Sequence, residues 1–320
     1  MDEVIIKPPR LSPGNTIGLV APASNVEEDE QIRYAGEVIE SIGFRLKFGR
    51  HVFERRGYCA GSDQDRAADI NGMFADPDIR AIIALRGGFG SLRILPFLDY
   101  DLIRSHPKIL LGYSDITALI NTIHSKTGLI TFHGPNAIDS LSEYGLKELL
   151  KVLAEPRSDI SIACPPIANY SPGRVEYRNR ITRICGGVAT GRTVGGNLSS
   201  IVRLLGTPYA PSFQSKILIL EEVGEKAYRI DAMLTQLALA GALRSLSGIV
   251  LGKFLAEAMR PETELKLEKF FRETFDPLGI PVVRGLMIGH ISDQATVPIG
   301  VKARLISQTG ELRLEESAVT

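Results

Sequence analysis

KILLGYSDITALINTI, residues 108–123, changes halfway from the pattern of a buried strand to the pattern of an apolar helix. The uninterrupted apolar run 109–111 is typical of a short strand that is covered on both faces. The apolar residues of 116–123 have the spacing of a helix that packs into the protein. Ser114 lies at the turn between the two elements. A serine at such a turn points away from the backbone, beside a helix N-terminus that stabilises negative charge.

Ser114 and Asp115 allow two interpretations of this turn. In the first, Ser114 is a nucleophile presented between a strand and a helix. In the second, Ser114 or Asp115 only caps the helix, as serine and aspartate commonly do. The sequence GYSDI lacks the second glycine of the G-x-S-x-G pattern that surrounds many nucleophilic serines. Taken alone, this window favours the capping interpretation.

The length of 320 residues leaves room for two domains, and the composition is that of an ordinary globular protein. Thirty-seven basic residues balance 37 acidic ones, which gives no indication of a nucleic-acid or membrane partner. The longest apolar runs are far shorter than a bilayer span, and the N-terminus lacks the hydrophobic region of a secretory signal. We therefore expect a cytoplasmic protein that binds neither nucleic acid nor membrane.

The three cysteines, Cys59, Cys164 and Cys185, are too few and too scattered to form a disulfide framework or a metal knuckle. No cluster of histidine, cysteine and carboxylate residues has the sequence spacing of metal ligands. We therefore expect that the protein uses no metal and no other cofactor.

Strands alternate with helices through the first half, which predicts a parallel sheet with both faces covered. The strands are expected at 16–21, 44–48, 79–85, 109–111 and 129–132. Ligands bind such sheets at the carboxyl ends of the strands. Arg86-Gly87-Gly88, Ser114 and His133 follow or end three of these strands, and we expect them at that edge.

The character of the chain changes between residues 156 and 180, where Pro165-Pro166, Pro172-Gly173 and a polar composition predict a linker. The sequence thus predicts an α/β domain over 1–155 that carries the serine. A second, mixed α/β domain is predicted over 181–320. Its tail is expected to form a hairpin around Thr309-Gly310.

A nucleophilic serine needs a base to take its proton and an acid to orient that base. His133 is one candidate base, because it lies at a strand end in the serine's half. His290 is another, because it lies in the loop GHISDQATVPIG, which follows a strand. Glu221 and Glu222 directly follow an apolar run, so at least one of them is presented at a strand end. The residues alone leave open which of these groups act and whether they are only exposed loop residues.

Arg86-Gly87-Gly88-Phe89-Gly90 is a glycine-rich turn after a strand. Its glycines let backbone N–H groups approach a ligand closely, as an oxyanion hole or a phosphate site requires. The turn lacks the Lys-Ser/Thr pair of a P-loop and the spacing of G-x-G-x-x-G. It therefore gives little support to nucleotide binding.

Segments spread over almost the whole chain resemble the LD-carboxypeptidase family of serine peptidases, including its microcin-C self-immunity branch. The resemblance is specific because a glycine-rich turn, a serine turn and a C-terminal histidine loop occur in one fixed order. The segments are PPRLSPGNTIGLVAPAS, YCAGSDQDRAADIN, LRGGFGS, GYSDITAL, FHGP, GGNLSSIVRLLGTPY, LILEEVGEKAYRIDAML and GHISDQATVPIGVKA.

The resemblance implies an N-terminal parallel-sheet α/β domain and a C-terminal mixed α/β domain, with the active site at their interface. It implies Ser114 as the nucleophile, His290 as the base and Glu221 as the acid that orients the base. Glu222 stands where the family commonly has aspartate, so it remains the alternative acid. His133 would then support the wall of the site.

The oxyanion donors implied by the resemblance are the backbone N–H groups of Asp115, Gly87 and Gly88. The implied reaction cleaves the peptide bond between an L- and a D-residue and releases C-terminal D-alanine from murein tetrapeptides during peptidoglycan recycling. The implied partners are a small peptide substrate with a C-terminal D-residue and a second copy of the chain in a homodimer.

Two other functions stay open at this point. A related serine hydrolase would act on microcin-like peptide–nucleotide or acyl-sulfamate conjugates. A protein with two hinged lobes would bind a ligand without catalysis, as such lobes also form ligand receptors.

Overall fold

The computed structural model describes residues 4–165, 179–255 and 261–320. Part of the predicted linker, residues 166–178, lies outside the described residues. The chain forms two α/β domains, each built around its own sheet. The sheet of the first domain is mostly parallel and that of the second is mixed. The fold class predicted from the sequence is therefore confirmed.

The described residues contain fourteen strands and nine α-helices. The strands are β1 (Thr16–Val20), β2 (Arg45–Phe48), β3 (Ile79–Ala84), β4 (Ile109–Leu111), β5 (Thr131–His133), β6 (Ile160–Ile162), β7 (Thr182–Cys185), β8 (Val188–Asn197), β9 (Lys216–Val223), β10 (Gly248–Leu255), β11 (Val282–Arg284), β12 (Val297–Ile299), β13 (Lys302–Ile306) and β14 (Glu311–Leu314).

The helices are α1 (Asp29–Ser41), α2 (Asp63–Ala75), α3 (Ser91–Ile94), α4 (Tyr100–Ser105), α5 (Ile116–Thr127), α6 (Glu143–Leu153), α7 (Leu198–Leu204), α8 (Ala227–Leu239) and α9 (Pro261–Phe275). Of these described helices, none combines the length and the apolar character that a membrane crossing needs.

The first sheet has the strand order β12-β5-β4-β3-β1-β2. Its strands β1 to β5 run parallel, and β12, which comes from the C-terminal half of the chain, pairs antiparallel with β5. Because β3, β4 and β5 are neighbours, the glycine-rich turn, Ser114 and His133 meet at one edge of the sheet, as predicted.

The second sheet has the order β6-β14-β13-β8-β9-β10-β11-β7. The four central strands, β8 to β11, are parallel, and antiparallel strands flank them on both sides. The tail hairpin is confirmed, since β13 and β14 pair antiparallel across the predicted turn. At the edge of this sheet lies β6, a strand within the segment predicted as a linker.

Helix α5 is buried on all sides, with ten of its twelve residues inaccessible to solvent. It packs on the first sheet with one side and on the second domain with the other. The Asn121 amide donates to the Gly195 carbonyl (2.8 Å), and the Gly195 N–H donates back to the Asn121 oxygen (2.9 Å). The Asn197 N–H donates to the Thr117 hydroxyl (3.0 Å). The helix that follows Ser114 is therefore, with β5, an element to which the second half of the chain is attached.

We expect Asn121→Ala to lower the free energy of unfolding by about 2–4 kcal/mol. The substitution leaves a buried N–H and a buried C=O of Gly195 without their partner, and each such group costs about 1–3 kcal/mol. Urea denaturation followed by circular dichroism measures this free energy.

Asn71→Ala is the matched control. The Asn71 side chain also makes two hydrogen bonds to backbone, to Phe97 and Asp99, but at a solvent-exposed site where water replaces them. We expect a loss below about 1 kcal/mol for this variant. Equal losses in the two variants would contradict the role given to the Asn121–Gly195 pair.

Candidate active site

Ser114 occupies the left-handed backbone region, with φ = 62°, between β4 and α5. This conformation is about 1–2 kcal/mol less favourable than a right-handed one for a residue other than glycine. Such strain is found mainly at functional sites. The residue at the N-cap of α5 is Asp115, and its side chain makes no capping hydrogen bond. The capping interpretation of Asp115 is therefore wrong.

Asp115 instead holds the serine turn against the start of α3. Its carboxylate accepts a hydrogen bond from the Ser91 N–H (2.8 Å), and its backbone carbonyl accepts one from the Ser91 hydroxyl. The Arg203 guanidinium of the second domain lies 3.9 Å from the same carboxylate. Burial raises the pKa of Asp115, although these neighbours oppose that effect. The side chain is thus used to position the backbone of the turn.

Gly87 packs directly against Ser114. A Cβ atom at Gly87 would lie 2.7 Å from the Ser114 Cβ and 3.2 Å from the Asp115 nitrogen, so no side chain fits there. Gly88 has φ = 104° and packs on Ser24, whose hydroxyl accepts a hydrogen bond from the Phe89 N–H (3.0 Å). The structure therefore brings together the backbone of Gly87, Gly88 and Asp115, the three residues predicted to donate to an oxyanion.

His290 and Glu221 form a hydrogen-bonded pair. The distance from His290 Nδ1 to Glu221 Oε2 is 2.8 Å, and the Glu221 side chain is fully buried. Burial lowers the pKa of His290, but the hydrogen bond and charge of Glu221, helped by the charges of Glu222 and Asp139, outweigh it. The pKa of His290 is therefore raised above its ordinary value of 6.5. This arrangement fixes the ring and favours its protonated form.

Glu222 lies in a different network. Its carboxylate accepts hydrogen bonds from the Ser199 N–H (2.8 Å), the Ser199 hydroxyl (2.6 Å) and the Asn197 amide (3.0 Å) at the start of α7. Burial raises the pKa of Glu222 against these hydrogen bonds. Of the two glutamates that the sequence left open, the structure places Glu221 against His290 and Glu222 at a helix N-terminus.

The Tyr113 ring lies between the two candidate bases. Its centroid is 4.6 Å from that of His290 and 5.9 Å from that of His133. His133 is completely buried, and burial, with a smaller effect of the His290 charge, lowers its pKa to about 3. Among the described residues, neither ring nitrogen of His133 has a hydrogen-bond partner. His133 is therefore a neutral side chain in the wall beside Tyr113.

Asp139 is a residue of the site that the sequence did not indicate. It lies in the loop after β5, where its carboxylate accepts a hydrogen bond from the Asn136 N–H (2.8 Å). Asn136 in turn accepts a hydrogen bond from the Tyr113 N–H (3.3 Å). The only signal in the sequence was that this loop follows a strand end at the edge where ligands bind.

The site thus combines a strained serine, a histidine paired with a buried acid, and a glycine turn packed on the serine. This combination is suited to nucleophilic attack on a carbonyl carbon. Within 4–165, 179–255 and 261–320, the histidine, cysteine and acidic residues form no group of three that would hold a metal ion.

Comparison of the chain with known proteins shows the family to which it belongs. The models of the LD-carboxypeptidase N-terminal domain and C-terminal domain match residues 17–134 and 190–305. The "Probable murein peptide carboxypeptidase" of Bacillus subtilis (strain 168) is 36% identical over 93% of this chain and 91% of its own length. Two α/β domains with a serine turn at the edge of the first sheet define the class, and the chain belongs to the LD-carboxypeptidase family.

Both branches of the family include similar proteins. The "Microcin C7 self-immunity protein MccF" of Escherichia coli is 32% identical over 91% of this chain and 90% of its own length. The crystal structure of muramoyltetrapeptide carboxypeptidase from Oxalobacter formigenes superposes with a TM-score of 0.78 at 28% identity, covering 94% of this chain and 98% of that one.

We expect Glu221→Gln to lower the pKa of His290, because the amide lacks the charge that favours the imidazolium. A base must be neutral to accept a proton, so kcat/KM should rise with pH through the pKa of His290. The acid limb of that profile should therefore move to lower pH in the variant. Loss of the orienting acid should also reduce kcat by on the order of 10⁴-fold. NMR titration of the histidine rings and a pH–rate profile measure the two effects.

Glu222→Gln is the control at the neighbouring position. It leaves the His290–Glu221 hydrogen bond in place and removes a charge whose effect on His290 is smaller than that of Glu221, so the pKa of His290 should change less. The variant should instead lose about 1–3 kcal/mol of stability at the start of α7. A larger shift of the acid limb in Glu222→Gln than in Glu221→Gln would contradict the assignment of Glu221 as the acid that acts on His290.

Proposed function

We propose that the protein is a serine carboxypeptidase that releases C-terminal D-alanine from murein tetrapeptides in peptidoglycan recycling. The observation that carries this proposal is the His290–Glu221 hydrogen bond beside the strained Ser114 turn. The choice of substrate is supported by the relatives whose names refer to murein peptides and muramoyltetrapeptides. A homodimer is part of the same proposal and rests on the family resemblance, whereas a cytoplasmic location is part of it because of the sequence features described above.

In the proposed reaction, His290 takes the proton of the Ser114 hydroxyl while the serine oxygen attacks the scissile carbonyl carbon. The carbonyl oxygen becomes an oxyanion and accepts hydrogen bonds from the N–H groups of Asp115 and the Gly87-Gly88 turn. The imidazolium, stabilised by Glu221, returns its proton to the nitrogen of the leaving D-alanine.

The products of this first step are free D-alanine and an ester between Ser114 and the remaining peptide. His290 then removes a proton from water, which attacks the ester carbonyl through a second oxyanion. Return of the proton to the Ser114 oxygen releases the tripeptide acid and restores the enzyme. Each half of the reaction uses the same base and the same N–H donors.

The test of the residue assignment is a set of single substitutions assayed by release of D-alanine from a murein tetrapeptide. Ser114→Ala should reduce kcat by about four to six orders of magnitude if the three residues act as a unit. His290→Ala should remove activity almost as completely. His133→Ala should leave a measurable fraction, because the neutral, buried ring has no place in the proposed proton transfer.

The reverse order of the two histidine variants would overturn the assignment of the base. Labelling of Ser114 by a fluorophosphonate, absent in Ser114→Ala, would argue against a protein that only binds ligands. Retained turnover in Ser114→Ala would exclude Ser114 as the nucleophile.

A second candidate function is hydrolysis of microcin-like acyl-sulfamate or peptide–nucleotide conjugates. It is favoured by the similarity to the MccF protein over nine-tenths of the chain. A two-substrate assay separates the candidates, because a carboxypeptidase needs a free C-terminal D-residue. We expect turnover of the tetrapeptide and no turnover of an aspartyl-sulfamoyl nucleoside; the opposite result would support the second candidate.

A further inference from the structure

Arg66 is a buried charged residue that the proposed proton transfers do not use. It lies in the first turn of α2, and solvent reaches no part of its side chain. A guanidinium group keeps its charge when it is buried, which strongly destabilises a folded protein unless partners take up the charge and the N–H groups. The partners of Arg66 therefore indicate what this side chain does.

Arg66 connects the start of α2 to two loops at the carboxyl edge of the first sheet. Its Nη1 donates to the Gly90 carbonyl (2.9 Å) and to the Pro22 carbonyl, and its Nη2 donates to the Asp63 carboxylate. Pro22 lies in the loop after β1, and Gly90 ends the glycine-rich turn after β3. The planar guanidinium suits this task because it presents several donors in fixed directions.

The glycine-rich turn needs contacts of this kind because its own backbone has great conformational freedom. Gly88 and Gly90 have φ of 104° and 122°, in the region that favours glycine, and glycine loses more freedom on folding than any other residue. Ser24 holds the middle of the turn: its hydroxyl accepts the Phe89 N–H (3.0 Å), and its N–H donates to the Gly87 carbonyl (3.3 Å). The position of the turn therefore depends on the loop that carries Ser24.

Arg66 holds both the turn and the loop that supports it. Its bond to the Gly90 carbonyl fixes the C-terminal end of the turn. Its bond to the Pro22 carbonyl fixes the loop two residues before Ser24. A Cβ at Gly90 would lie 2.8 Å from Arg66 Nη1, so the guanidinium is in direct contact with the backbone of the turn. Loss of this group would therefore release the turn at two places.

The part of the turn that borders the nucleophile keeps N–H groups available. Among the described residues, the N–H groups of Gly87 and Gly88 have no hydrogen-bond partner, although other polar backbone groups of the turn are bonded. A Cβ at Gly87 would lie 3.0 Å from the Ser114 hydroxyl oxygen, so the turn is in contact with the serine at this point. Small shifts of the turn would therefore move these N–H groups relative to Ser114.

We propose that Arg66 is a positioning residue for the reaction: through the Gly90 and Pro22 carbonyls, it fixes the glycine-rich turn so that the available N–H groups meet the oxyanion. This inference rests on the proposed function, because it requires an oxyanion formed at Ser114. Arg66 touches neither the substrate nor the reacting atoms and acts through the turn alone. The effect is large because a displacement of about 1 Å in a catalytic site can reduce a rate about 100-fold.

The experiment compares Arg66→Lys with the wild type on a murein tetrapeptide and on a fluorophosphonate. Lysine keeps the charge, but its single ammonium cannot reproduce the planar set of donors that holds two carbonyls and Asp63. We expect kcat for D-alanine release to fall about 100- to 1,000-fold, as for loss of one oxyanion donor, with KM nearly unchanged. Labelling of Ser114 should slow as well, because the phosphonyl oxygen uses the same N–H groups.

Arg93→Lys is the matched control, because the Arg93 side chain donates to the same carboxylate of Asp63 (2.8 and 3.0 Å). Its guanidinium is half exposed, and within the part of the chain that the structure describes it bonds to no backbone carbonyl of the turn. The same substitution at this position should leave kcat, KM and the labelling rate essentially unchanged. Circular dichroism at the assay temperature establishes that both variants are folded.

Unaltered kcat in folded Arg66→Lys would overturn the proposal, and so would a loss that appears only as a higher KM. If Arg66→Lys does not fold, Asp63→Asn takes its place, since it removes the charge that orients the guanidinium and keeps an acceptor; unchanged kcat and labelling in that variant would also overturn the proposal. A wild type that is labelled but releases no D-alanine would overturn the proposed substrate alone, and the labelling rates would then decide the role of Arg66. A wild type inert to both reagents would overturn the proposed function and this inference with it.

Discussion

The close contact of residues 195–197 with α5 is the interaction on which the site depends. Gly195 exchanges two hydrogen bonds with Asn121, and a Cβ at Gly196 would lie 2.7 Å from both the Thr117 hydroxyl and a ring nitrogen of His133. A side chain at Gly196 would prevent this approach to the helix. Asn197 of β8 and Glu221 of β9 are neighbours in the sheet. The contact of residues 195–197 with α5 therefore also brings Glu221 close to the serine turn.

A buried carboxylate without a partner strongly destabilises the folded state, and His290 is the partner of the buried Glu221. A Cβ at Gly289 would lie 2.9 Å from Glu221 Oε2, so the glycine before His290 is what allows the ring to reach the carboxylate. The network continues through the His290 ring to Tyr113, whose N–H donates to Asn136. Glu221 and His290 of the second domain thus meet Tyr113 of the first, and the site lies where the two domains are in contact.

Local sequence determined the elements and their order. The apolar runs of β3 and β4 and the apolar pattern at 116–123 predicted buried elements. The structure has both strands within a residue of the expected limits, and α5 begins at Ile116 and continues four residues beyond the pattern, to Thr127. The rule that parallel strands present ligands at their carboxyl ends placed Ser114 and the glycine-rich turn together. The resemblance to a known family then supplied His290 and a glutamate of the 221–222 pair, which residue patterns alone had left among several candidates.

Tertiary structure decided what depends on which face a side chain occupies and which distant segments meet. Glu221 and Glu222 are adjacent in β9, so their side chains point to opposite faces of the sheet. The two-residue periodicity of a strand predicts this alternation. It does not indicate which face of β9 lies against His290 and which lies against the start of α7. In the same way, Asp139 has no local pattern, and β12 joins the first sheet from the second half of the chain. Sequence fixes local periodicity because neighbouring side chains impose it, whereas contacts between segments far apart exist only after both domains have packed.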